Sequence, residues 1–129
     1  VLGTKRPPSE AHAGAPFFGQ LAQDTVFGRV WPRTDKLDRR ARRLLTIAVL
    51  TCLGAETELM LHVEGALRSG DLTREEIGES AAHLAMYTGF PRARWLAIAN
   101  KRVSDQLKRL AQGSKPSLRA RPRRAKQSQ

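Results

Sequence analysis

Glu58 and His62 stand four residues apart in the run ETELMLHVEGAL. In a helix that spacing places both side chains on one face, within mutual reach. A carboxylate beside an imidazole fixes its tautomer and raises its pKa, which prepares a general acid or base. The same spacing also occurs as an ordinary surface pair, and a histidine in an apolar run also serves as a hydrogen-bonded core imidazole, so both readings stand at this point. His83 and Tyr87 repeat the spacing beside Gly89, where packing and capping is the plainer reading. Cys52 lies deep in the apolar pattern LLTIAVLTCLG and is expected to be a small core residue rather than a nucleophile. His12 falls in an irregular stretch and signals little. The chain has no ordered Ser/His/Asp set, no Gly-rich phosphate loop and no HExxH motif, and distant histidines make no metal site without a third ligand. Proton transfer without a cofactor is what remains on the catalytic side.

Periodicity and punctuation give the elements that must hold these residues. Residues 1–16 contain Pro7, Pro8, Gly14 and Pro16, and read as an irregular arm. A first helix is expected over Phe17–Phe27, ending at Gly28. The connector RVWPRTDKL is broken by Pro32, and Asp38 is placed to cap a second helix, Arg39 to Leu53, which Gly54 stops. That helix is apolar nearly all round in its latter half, so burial is expected there. Its first turn carries Arg39, Arg40, Arg42 and Arg43, against the helix dipole, so an anion from this chain, a neighbouring subunit or a ligand is expected to compensate. A third helix, Glu56 to Ser69, aligns Leu59, Val63, Ala66 and Leu67 with His62 on the same side and stops at Gly70. The capping box Thr73-x-x-Glu76 starts a fourth, which ends at Gly89, and Pro91 opens a fifth that runs to about Leu110. No strand pattern competes. The expected fold is an all-α bundle of about five to six helices over residues 17–112, between the arm and a tail at 113–129.

Composition bounds the rest. A chain of 129 residues makes one domain with a modest core, and 40% hydrophobic with 5% aromatic residues puts that core on Leu, Ala, Val and Ile. The net charge of +11 invites a nucleic-acid reading, but six of the basic residues (Lys115, Arg119, Arg121, Arg123, Arg124 and Lys126) lie in the tail, leaving 17 basic against 12 acidic residues through Gln112. The tail has no apolar periodicity and is expected to be disordered; counterion release would let it touch nucleic acid nonspecifically without making that the function. A single cysteine excludes an intramolecular disulfide and a CxxC redox pair, which fits a cytoplasmic protein. No run of about 18 apolar residues exists, so neither a membrane span nor a secretion signal is expected. The chain begins at Val1 rather than Met, and native residues are expected to precede it.

Read in order, FGRVWPR, LDRRARRLLTIAVLTCLG, ETELMLHVEGAL, GDLTREEIGE and HLAMYTGFPRA resemble the carboxymuconolactone decarboxylase family over about Val1 to Leu110. The resemblance implies an AhpD-like helical fold assembled as a homo-oligomer, a trimer or hexamer. The redox branch of that superfamily carries CxxCxxxH; here Ala55 and Glu58 occupy the cysteine positions and His62 the histidine, so thiol peroxidase chemistry is not expected. The implied activity is cofactor-free decarboxylation of 4-carboxymuconolactone to the enol-lactone of 3-oxoadipate, in the protocatechuate branch of aromatic degradation. On that reading His62, oriented by Glu58, manages the proton, Arg39 and Arg42 attract substrate carboxylates, and Trp31, His83 and Tyr87 line the substrate site. Family decarboxylases usually read WGEVW where this chain has Phe27-Gly28-Arg29-Val30-Trp31, and if that position lines the pocket the charge reversal at Arg29 is expected to change the substrate or end catalysis. The alternatives are a paralogue acting on another small carboxylated or lactone substrate, and a non-catalytic oligomeric binding protein.

Overall fold

The computed structural model describes residues 10–114. In chain order its helices are α1 (Glu10–Gly14), α2 (Pro16–Leu21), a π-helix (Ala22–Val30), α3 (Arg39–Leu53), α4 (Glu56–Ser69), α5 (Arg74–Thr88) and α6 (Phe90–Gly113). Among the described residues there is no strand, and the fold is all-α as the periodicity requires.

Local chemistry sets the helix limits. Asp38 accepts a hydrogen bond from the Ala41 N–H at 2.7 Å and so satisfies one of the four orphan donors at the start of α3. Gly54 ends α3 at φ +68°, a left-handed conformation that costs glycine nothing and other residues about 1 kcal/mol or more. The capping box at α5 is complete: the Thr73 N–H donates to Glu76 Oε1 at 3.0 Å, and the Glu76 N–H donates to Thr73 Oγ1 at 3.2 Å.

Around this frame α3, α4, α5 and α6 close on one core of Ile47, Leu59, Val63, Ala66, Leu72, Ile77, Ala81, Leu96, Ala99 and Val103. Burying each of the Leu, Ile and Val side chains contributes roughly 1.5–3 kcal/mol before chain entropy is set against it. The core is aliphatic, in keeping with the low aromatic content.

Three expectations change. The stretch through residue 16 contains the helix α1 rather than an irregular arm throughout, and the helix expected over Phe17–Phe27 divides into α2 and a π-helix that runs on to Val30. The wider turn is closed by the Trp31 N–H donating to Val26 O at 3.0 Å, a bond spanning five residues. Gly28 suits it, because a Cβ there would lie 3.0 Å from Gln23 O. The second correction concerns α3, whose latter half is not buried all round. It packs on α4 and α6 through Ile47 and Thr51, while Leu45, Val49 and Leu53 on the opposite face are exposed. Third, Cys52 follows that outer face and is exposed, not a core residue. The basic tail beyond Ser114 and the first nine residues lie outside the described residues.

Candidate active site

Arg43, Ile47 and Thr51 recur every four residues and form the buried face of α3, so α3 turns an arginine into the interior. Arg43 is 0% exposed. A charge taken wholly out of water requires partners, and Asp71, His62 and Trp31 are among them. Its Nε and one terminal nitrogen donate to Asp71 Oδ2 at 3.2 and 3.1 Å. Its other terminal nitrogen lies 2.9 Å from His62 Nδ1. The guanidinium carbon sits 5.0 Å from the centre of the Trp31 ring, a cation–π contact. Trp31 also stacks on His62, with ring centres 5.8 Å apart and planes 23° apart.

This arrangement fixes the chemical state of His62. A guanidinium has donors and no acceptor, so His62 Nδ1 accepts and the ring proton resides on Nε2. Burial and the adjacent Arg43 charge push the imidazole down from its ordinary value to about 4, so at neutral pH it is uncharged. His62 keeps 8% of its surface exposed, and with Nδ1 occupied, Nε2–H is the ring's available polar group. A neutral imidazole held this way is a hydrogen-bond donor toward developing negative charge. The expected partner differs: Glu58 is exposed and makes no hydrogen bond to His62, and the imidazole pKa is lowered by burial and by Arg43 rather than raised by a carboxylate.

The basic first turn of α3 finds its compensation within the chain. Arg39 Nε donates to Asp71 Oδ2 at 3.1 Å, and Arg40 pairs with Glu76 and donates to the Asp71 carbonyl at 3.1 Å. Burial would raise the Asp71 carboxyl, but hydrogen bonds from Ser69, Arg43 and Arg39 hold it below its usual range. Among the described residues, two guanidinium groups thus share the Asp71 carboxylate next to a neutral His62.

Of the residues singled out from the sequence, the fold brings together Trp31, His62 and, through Asp71, Arg39. Arg42 points its guanidinium at the connector, donating to Leu37 O at 3.0 Å and Arg33 O at 2.9 Å, and so ties down the segment that follows Trp31. His83 and Tyr87 pair with each other on the exposed face of α5, with ring centres 5.1 Å apart. Arg29 is exposed on the π-helix. Arg43 and Asp71 were not anticipated in the site. The signal for Arg43 was its phase with Ile47 and Thr51, since an arginine on a buried face demands a carboxylate. Among the described residues no cluster of His, Cys, Asp and Glu could hold a metal. A groove between α4 and α6, lined by Glu56, Thr57, Met60, Trp95, Ile98 and Arg102 among others, includes none of the Trp31, Arg43, His62 and Asp71 cluster.

The carboxymuconolactone decarboxylase family model matches residues 16–101. The chain is 42% identical to a 4-carboxymuconolactone decarboxylase of Acinetobacter baylyi over 66 residues, which is 51% of this chain and 48% of that protein. It is 34% identical to a nitrosuccinic acid decarboxylase of Metarhizium robertsii over 111 residues, 83% of this chain and 76% of that one. The chain thus spans about half the length of the Acinetobacter protein. No solved structure matches. With the family model covering the span that holds Trp31, Arg43, His62 and Asp71, and one relative matched along most of its length, the chain belongs to the carboxymuconolactone decarboxylase family.

Proposed function

We propose that this protein is a cofactor-free decarboxylase of a small carboxylate, with 4-carboxymuconolactone as the first substrate to test. The observation that carries the reading is the neutral His62, its Nε2–H fixed by the buried Arg43, within a chain of this family. When the carbon–carboxylate bond breaks, carbon dioxide leaves and the electron pair passes through the ring alkene to the lactone carbonyl oxygen. His62 Nε2–H donates to that developing oxyanion, and the Arg39 guanidinium, 41% exposed at the mouth of this cluster, favours the anionic substrate and transition state. The proton that ends on carbon comes from solvent, since His62 holds a single ring proton and its loss would leave an imidazolate. Glu58, exposed one turn before His62, contributes by facing the substrate rather than by tuning the imidazole.

A second substrate is favoured by one observation: the Metarhizium relative is matched over more of this chain and is named for nitrosuccinic acid. In that compound a nitro group replaces the lactone as the acceptor, and its oxygens would take the same hydrogen bond. The reversed charge at Arg29 is compatible with such a change. Assembly as a homo-oligomer, a trimer or hexamer, is part of the reading, supported by the exposed apolar row on α3. No helix among the described residues is long and apolar enough to cross a membrane, and a cytoplasmic location remains part of the proposal.

The deciding experiment follows ultraviolet loss of freshly generated carboxymuconolactone and, in parallel, carbon dioxide release from nitrosuccinate. Turnover of either is expected. Absence of both with an intact, folded oligomer would defeat the decarboxylase reading in favour of a binding protein.

A further inference from the structure

We propose that Asp71, on the turn between α4 and α5, is a positioning residue that aims Arg43 at His62 and thereby holds His62 in its Nε2–H tautomer. The kinetic part of this inference rests on the decarboxylase reading; the structural part does not. A guanidinium presents its donors in a rigid planar fork, so engaging one edge dictates where the other nitrogen points. Asp71 Oδ2 takes the edge formed by Nε and one terminal nitrogen, at 3.2 and 3.1 Å, and the remaining terminal nitrogen is left 2.9 Å from His62 Nδ1.

Asp71 can impose that aim because it is itself fixed. Gly70, at φ +75°, turns the chain out of α4 immediately before it. The Asp71 N–H donates to Ser69 Oγ at 3.3 Å, the Asp71 carbonyl accepts from Arg40 at 3.1 Å, and its carboxylate also accepts from Arg39 at 3.1 Å. Backbone and side chain are therefore held independently. The neighbouring carboxylate, Glu76, cannot substitute, since Thr73 and Arg40 already occupy both its oxygens. Trp31, stacked on His62 and beneath Arg43, closes the remaining side of the pair.

Nitrogen-15 NMR of the histidine ring nitrogens in the full chain tests this, with His62 assigned by the signals lost in His62→Gln. The wild type should show a protonated Nε2 and an unprotonated Nδ1 at neutral pH. Asp71→Asn, nearly isosteric but uncharged, should give a mixture of tautomers with helicity unchanged, and should lower kcat by on the order of 10²-fold with a smaller effect on KM. Asp71→Glu, which restores the charge, should recover part of the single-tautomer signature. Should Asp71→Asn fail to fold, Arg43→Lys provides the same readout, because one ammonium cannot serve Asp71 and His62 with a fork's geometry. A pure Nε2–H tautomer persisting in the folded variants would overturn the inference, as would a wild-type ring protonated on Nδ1. Tautomer mixing in the variants of a protein that turns over neither substrate would instead defeat the decarboxylase reading and leave the positioning role of Asp71 standing.

Discussion

Arg43 approaches His62 Nδ1 to 2.9 Å from inside the bundle, while Glu58, on His62's own helix, stays at the surface. The imidazole's charge state is therefore set by burial, and its tautomer by a cation from another helix.

Stability should fall as the solution is acidified through a window set by His62. Above about pH 6.5 the ring is neutral in both folded and unfolded chains, and its contribution is fully present. Between about 6.5 and 4 the unfolded chain takes a proton that the folded site refuses, so the folded state loses stability, reaching roughly 3 kcal/mol near pH 4. Urea unfolding at pH 7.5 and pH 5 measures the drop, which should be much smaller in His62→Gln. Equal drops in both proteins would assign the effect elsewhere.

Arg43→Ala should cost roughly 3–5 kcal/mol, because it empties a fully buried side-chain volume, removes one of the two guanidinium groups on the Asp71 carboxylate and leaves His62 Nδ1 without its donor. Chemical denaturation of the purified protein would register this as a much lower midpoint, or as failure to fold. Arg42→Ala, which loosens only two connector carbonyls, should cost less.

For Glu58→Gln the expectation is a stability change within about 0.5 kcal/mol and an unchanged His62 tautomer, since the side chain is exposed. Any loss of turnover in this variant would then reflect contact with substrate. A shifted ring tautomer would show that Glu58 reaches the imidazole after all.

The outer face of α3 should mediate self-association. Leu45 and Val49 are 59% and 56% exposed and lie one turn apart, so Leu45→Glu with Val49→Glu places two charges in any interface formed there. Light scattering coupled to gel filtration should show a smaller species with retained helicity. An unchanged mass would exclude this face.

Much of the framework was legible in the residues. Asp38, Gly54, Gly70, the Thr73/Glu76 box and Pro91 mark helix limits by short-range chemistry, which one sequence carries in full. His62 was legible as an anomaly in an apolar run. Its partner was not, because the Arg43 contact joins residues 19 apart through helix packing, whereas Glu58 was conspicuous only by sequence proximity. The same gap hid Asp71, 28 residues from Arg43. For α3, hydrophobicity reported that both faces are apolar but could not tell a face covered by this chain from one left open.

The π-helix before Trp31 has a consequence for tolerance to insertion and deletion. Each turn there holds one residue more than an α turn, so the segment Ala22–Val30 behaves as a length spacer between α2 and the site. Deleting one residue would let a turn relax to α geometry, which takes up the loss and keeps Trp31 close to its present phase against the His62 ring. A single deletion in residues 22–30 should therefore spare the site, whereas an insertion, which the already widened turns do not take up, should swing Trp31 by about 100° off the His62 ring, and point substitutions on the exposed side should be tolerated.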